Sequence, residues 1–459
     1  MKNTLFILVI FILLFSSCGQ GDRRSAKETA SKEDKMIRLI TVDPGHFHAA
    51  LVQKTMYEEV SPDVYVYAPA GPDLDQHLAR IQSYNSRAEN PTHWNEIVYT
   101  EDDFFEEMIN KKPGNVVVLS GNNKKKTDYI LRSVQAGFNV LADKPMVITP
   151  EAFPKLEEAF RIAGEKGLLL YDIMTERYEI TTILQKELSQ KKEIFGELIN
   201  GSQDVPAVTK ESVHHFSKIV SGAPLIRPAW FFDVEQQGEG IVDVTTHLVD
   251  LVQWECFPEM ILSKEDVNMI AARRWPTILT REEFKGVTGL EEYPEYLLKD
   301  VKDGKLYVYA NGEMIYQLKG KWVKVSVEWK YRAPEGGGDT HFSIMRGTNC
   351  NLVIRQTAAE KFIPTLYIEN VKGSMDEFTA KLKAALSTLP YDSLTVDNID
   401  GKTLKVNIPG KYRVGHEEHF AQVTEKFLGF LKEGKMPDWE VPGMIVKYYT
   451  TTSALTKAR

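Results

Sequence analysis

Short apolar runs alternate with amphipathic stretches from Met36 onward. Ile37 to Val42 reads as a strand, His48 to Glu58 as a helix, and Val64 to Tyr67 as a strand. Glu101 to Ile109 follows as a helix, Asn115 to Leu119 as a strand, Thr127 to Ala136 as a helix, and Asn139 to Leu141 as a strand. Pro150 to Glu165 and Leu168 to Tyr171 close the series as a helix and a strand. Strands interleaved with helices predict an α/β, Rossmann-type doubly wound parallel sheet, placed at residues 36–175.

After Glu179 the pattern changes. One helix leads to Gly196-Glu197-Leu198, and a strongly apolar helix spans Val242 to Trp254. Beyond Val267 the alternation has period two, over Lys305–Tyr309, Met314–Leu318, Val323–Trp329, His341–Met345 and Leu352–Gln356. Turn signals separate these runs, Asn311-Gly312 among them, so residues 176–459 are expected to form an α+β domain on a large, mostly antiparallel open sheet. Helices at about Glu417–Lys432 and Val441–Leu455 are expected to pack back and close the chain.

The first 35 residues read differently. Lys2 precedes an apolar stretch from Leu5 to Phe15 and then Ser16-Ser17-Cys18. This resembles a bacterial lipoprotein signal (1–17), with Cys18 as the lipidated residue, a polar tether over 18–35 and a location on the periplasmic side of a membrane. An ordinary secretory peptide or a short anchor is the alternative. Cys256 and Cys350 are the other cysteines and read as packing residues. A net charge of −8 gives no basic footprint for nucleic acid.

The chemistry concentrates in two stretches. Lys144 ends an apolar strand in Ala142-Asp143-Lys144-Pro145, and Pro145 restricts where it can point. Asp243, His247 and Asp250 fall at i, i+4 and i+7, one face of an otherwise apolar helix. Buried carboxylates and imidazoles need partners, so this stripe is either a proton-transfer set or a structural network with Asp243 as a cap. The dinucleotide loop is degraded: in Asp43-Pro44-Gly45-His46-Phe47-His48 only the middle glycine remains. Tyr67-Ala68-Pro69 stands where an acidic ribose ligand is expected, with Asp73 and Asp75 further on, which leaves NAD against NADP open. Ser120 and Asn123 lie at the next strand end. His214, His215, Lys218, Arg227 and Trp230 are candidate substrate contacts together with Asp250; His214-His215 is read as a loop element. No convincing metal set is read. His416-Glu417-Glu418-His419 is one residue short of the zinc-protease spacing and reads as a helix start.

Asn123, Ala136-Gly137, Asp143-Lys144-Pro145 and the Gly238–Trp254 segment together resemble the Gfo/Idh/MocA oxidoreductases, of the glucose-fructose oxidoreductase and inositol dehydrogenase types. The departures are the glycine loop, Lys126 where His is common, and inserted material near 275–300 and 375–412. The resemblance implies NAD(P) beside Gly45, His46, Phe47, Ser120, Asn123, Asp143 and Lys144. It also implies catalysis by Lys144, Asp243 and His247 on a ring hydroxyl of a sugar, glycoside or cyclitol, and a homo-oligomer formed through the open sheet. Export implies a tightly retained cofactor. Two further readings are an NAD-dependent glycosidase working through transient C3 oxidation and elimination, and a non-catalytic sugar-binding lipoprotein.

Overall fold

The computed structural model describes residues 36–220 and 223–459. The lipoprotein signal, Cys18 and the tether lie outside these residues. Among the described residues no helix is long and apolar enough to cross a membrane.

The first sheet has six parallel strands: β1 (Leu39–Val42), β2 (Asp63–Tyr67), β3 (Asn95–Tyr99), β4 (Val116–Leu119), β5 (Asn139–Asp143) and β6 (Leu170–Ile173). Their order, β3-β2-β1-β4-β5-β6, is that of a dinucleotide-binding domain. Central strands such as Val-Val-Val-Leu in β4 are buried along their whole length, as expected of a sheet covered on both faces. The order reverses between β1 and β4, which opens a crevice beyond their carboxyl ends.

One expectation needs correction here, and two elements were not expected. The helix expected over His48–Glu58 stops at Leu51, because Trp94 Nε1 takes the Gln53 carbonyl at 2.5 Å and pulls the chain out of helical continuation. The helix Pro72–Ser86 and β3 went unpredicted. That helix is mostly polar, and β3 is an edge strand whose residues are largely exposed, so neither carries a clear apolar period.

The second domain is built on a ten-stranded sheet. β7 (Val208–Ser217) runs through its middle, parallel to Lys321–Arg332 and antiparallel to Thr340–Arg346. The inserted material is ordered: 281–288 is a helix, Met375–Leu386 another, and Thr395–Asn398 and Thr403–Asn407 extend the sheet. Asn311-Gly312 is not a turn. One strand runs unbroken from Lys305 to Leu318. Asn311 donates to Trp275 O and Thr277 Oγ1 and accepts from Trp329 N, knitting three strands together. Gly312 is required by close approach, since a Cβ there would lie 2.6 Å from Ile241 Cβ. A Cβ at Gly240 would likewise sit 1.7 Å from Ala310 O. The two glycines let the segment before the helix Thr245–Cys256 press onto the sheet.

The helices His416–Glu433 and Glu440–Ala458 pack back on the first domain. Phe420, Val423, Phe427 and Tyr448 share a core with Ile40, Val140 and Leu170. Cys256 and Cys350 are unpaired thiols, Cys350 in the core of the second domain.

Candidate active site

The strand ends of β1, β4 and β5 deliver their loops to one crevice, and the second domain covers it. Lys144, directly after β5, reaches across the domain boundary: its Nζ donates to Asp243 Oδ1 at 2.6 Å. Asp243 Oδ2 accepts from Gln237 Nε2 at 3.0 Å. The two domains therefore meet on a largely buried ion pair. The helix begins only at Thr245, so Asp243 lies in the turn before it and not on the helix proper. This corrects the expected three-residue helical stripe.

His247 lies in the first turn of the helix. Burial and then the neighbouring Lys144 charge push its imidazole well below the ordinary value, so it is neutral near pH 7. Its Nδ1 is buried with no partner. A neutral imidazole with an unspent nitrogen, beside a lysine–aspartate pair, is equipped to take a proton from a bound hydroxyl.

Asp250 belongs elsewhere. Its two oxygens accept from Arg177 at 2.7 Å each, and Oδ1 also from Lys447 at 2.9 Å. Lys447 also pairs with Asp172 at 2.6 Å, and Arg177 with Glu440 at 3.1 Å. This buried network clamps β6, the His247 helix and the C-terminal helix together. Asp250 is a structural anchor and not the substrate contact expected from the sequence.

The substrate candidates divide in the same way. His214 and His215 lie in β7, not in a loop, and converge with Lys218 on Asp339. His214 Nδ1 is 3.2 Å from Asp339 Oδ2, and its ring stacks on Trp329 at 5.1 Å. Burial opposes the charge on Asp339, but the two histidines and Lys218 hold its carboxyl far below the usual range. Arg227 is buried, donating to Phe216 O and His215 O at 3.0 Å, so its guanidinium is committed to supporting the strand. Trp230 turns to the first domain, its Nε1 donating to Asp73 Oδ2 at 2.8 Å. That placement corrects its expected role as a sugar-stacking ring.

Glu176 and Asp339 escaped the sequence reading, and His48 and His416 were named there without a role at the site. Glu176, in the turn after β6, has its carboxyl pushed up to about 7, by burial first and then by Glu179, against the opposing charge of Lys144. Asp339 follows the run Gly336-Gly337-Gly338, a sequence signal that could have marked a functional loop. His48 and His416 sit in His-x-His and His-Glu-Glu-His strings whose meaning depends on the fold.

The crevice fits a nicotinamide dinucleotide. At its inner end Asn123 donates to Gln237 O at 2.7 Å, while its Oδ1 is buried and unpaired, an acceptor free for a carboxamide N–H. At the outer end Pro44–Phe47, Asp73, His77, Arg80, Leu225–Pro228, Trp230 and Phe231 line a cleft. Trp230 already closes on Gly45, where a Cβ would lie 3.0 Å from the indole ring.

Comparison with known proteins bears on the fold and the family. A family profile described as "Putative oxidoreductase C terminal domain" matches residues 184–459, and one described as "Oxidoreductase family, NAD-binding Rossmann fold" matches residues 69–171. A crystal structure described as a "putative oxidoreductase" from Parabacteroides merdae is 56% identical, with a TM-score of 0.91 over 92% of this chain and 98% of that one. A "putative oxidoreductase" from Erwinia carotovora atroseptica shares the fold at 14% identity and a TM-score of 0.58, over 92% of this chain and 99% of that one. So does KijD10, a 3-ketoreductase from Actinomadura kijaniata crystallised with NADP and TDP-benzene, at 12% identity and a TM-score of 0.55 over 92% and 98%. No curated protein matches the chain. A Rossmann domain of the NAD(P)-binding kind, a second domain matched over its whole sheet, and a relative alike from end to end place the chain in the Gfo/Idh/MocA family of oxidoreductases.

Proposed function

We propose that the protein oxidises a ring hydroxyl of a sugar, glycoside or cyclitol, using NAD(P) that it holds tightly through the cycle. The observation that carries this reading is the Lys144–Asp243 pair at 2.6 Å, which sets a cation from one domain beside the neutral His247 of the other. His247 accepts the hydroxyl proton. Lys144 holds the alkoxide that results, and Asp243 fixes the ammonium in place. A bound nicotinamide dinucleotide would supply the hydride acceptor, and Asn123, Ser120, Gly45, His46, Phe47 and Asp143 are the residues that would hold it. The polar wall of His214, His215, Lys218 and Asp339 suits a polyhydroxylated substrate.

The N-terminal signal supports a lipid-anchored, exported protein, a reading open to acyl labelling at Cys18. Outside the cytoplasm free dinucleotide is scarce, which favours a retained cofactor reset within each cycle.

A second reading is favoured by Glu176. With its carboxyl at about 7 it offers an additional acid/base group on the Lys144 side of the crevice. Such a pair could serve a redox-neutral glycoside elimination after transient oxidation at C3. The two readings separate by product analysis with a panel of methyl glycosides and inositols. A keto product accompanied by an equal amount of reduced nicotinamide supports simple oxidation. Free sugar without net reduction supports elimination. Absence of both products across the panel, with no bound dinucleotide, would leave the sugar-binding reading.

A further inference from the structure

We propose that His46, His48 and Asp143 form a binding site for one divalent first-row transition-metal ion, at the junction of the β1 and β5 loops. The site uses different side chains from the Lys144–Asp243–His247 set, and it shares His46 and Asp143 with the residues proposed above to hold the dinucleotide.

The ligand atoms converge. His46, His48 and Asp143 each present one donor atom, and the three lie within 4.8 Å of one another. His48 Nδ1 is 2.9 Å from Asp143 Oδ2, and His46 Nδ1 is 3.8 Å from the same oxygen. Bonds of about 2.0–2.2 Å to one ion place neighbouring ligand atoms roughly 3 Å apart, so small side-chain rotations complete the set. Two imidazoles and one carboxylate with an open position are the donors of zinc and non-haem iron(II) centres. The open side is real, since the His46 side chain is 25% exposed towards the crevice.

The surroundings match what a metal needs. Metal-bound histidines give their other ring N–H to an acceptor. His48 Nε2 faces His416 Nε2 at 3.0 Å. That contact gives the His48 ring nitrogen distal to the ion a neighbour able to accept its proton. In the metal-free arrangement His48 Nδ1–H donates to Asp143. On binding, the His48 proton resides on Nε2 and the contact with His416 reverses its direction. Ser120 Oγ donates to Asp143 Oδ2 at 2.9 Å, fixing the carboxylate, and Lys126 Nζ holds the Asp143 backbone carbonyl at 3.0 Å. His46 Nδ1 accepts from the His48 backbone N–H at 3.3 Å, a long bond for an ion to displace. The nearby Lys144 ammonium is paired with Asp243.

The test is titration of the untagged, chelator-stripped full chain with Zn²⁺ by calorimetry and with Co²⁺ by visible spectroscopy. One ion per chain and Co²⁺ ligand-field bands are expected. His46→Ala and His48→Ala should each weaken Zn²⁺ binding ~100-fold or more, and His416→Ala roughly ten-fold. Asp339→Asn, which breaks the separate His214–His215 cluster, should leave affinity unchanged. Absence of saturable binding overturns the proposal, as does binding that survives His46→Ala and His48→Ala or is lost in Asp339→Asn. If His48→Ala fails to fold, the partly exposed His46→Ala decides.

Discussion

His247→Ala is expected to lower the rate of hydride transfer by on the order of 10²–10⁴, with the folded state and the bound dinucleotide retained. The reason is local. The imidazole is neutral, its Nδ1 has no partner, and it lies close enough to feel the Lys144 charge. Removing it leaves the hydroxyl proton without an acceptor, while the nicotinamide and substrate walls stay intact. Lys144→Ala should also be slow, but it leaves buried Asp243 without its cation, so its loss combines chemistry with domain docking. Single-turnover reduction of the bound nicotinamide by an active glycoside, compared with wild type at equal cofactor occupancy, checks both variants. A His247→Ala protein that keeps the wild-type rate would remove His247 from the mechanism.

The second large effect is on stability. Asp250→Asn should cost about 3–5 kcal/mol, because it leaves Arg177 and Lys447 buried without their shared anion. Equilibrium urea unfolding measures this, with the shift read from the midpoint. The pH dependence has a definite sign. Burial works against the Asp250 charge, but Arg177 and Lys447 hold its carboxyl below the ordinary value. Its contribution is therefore fully present above the unfolded carboxylate pKa of about 4, and is lost as pH falls through the lower folded value. Asp250→Asn should accordingly flatten the acid limb of the stability curve. A variant as stable as wild type at neutral pH would mean that the network does not hold the His247 helix to β6 and the C-terminal helix.

The same helix shows what could be read from the chain and what could not. Lys144, Asp243 and His247 were legible because each follows a local rule: a strand end before proline, and a spacing of four that brings residues near one another. Asp250 continues that spacing, yet its partners Arg177 and Lys447 lie 73 and 197 residues away, and no local pattern announces them. Asn311-Gly312 has turn composition, but its glycine answers to Ile241 on another element. His214-His215 likewise looked like a loop until β7 placed the pair inside the sheet. The doubly wound domain was legible from strand–helix alternation, except where β3 is exposed and the helix Pro72–Ser86 is polar. The degraded glycine loop could be seen, but what replaces it could not. His48 meets Asp143 across 95 residues and His416 across 368.

The central claim is that this two-domain crevice holds a nicotinamide and reduces it with a sugar hydroxyl. The most direct measurement is to denature the purified full chain, identify the released small molecules by mass spectrometry, and repeat this after incubation with the glycoside and cyclitol panel. The account predicts a near-stoichiometric nicotinamide dinucleotide that turns over in the wild-type protein with at least one member of the panel, and slowly or not at all in His247→Ala. Protein that releases no dinucleotide, and takes up none when NAD or NADP is added, would contradict it.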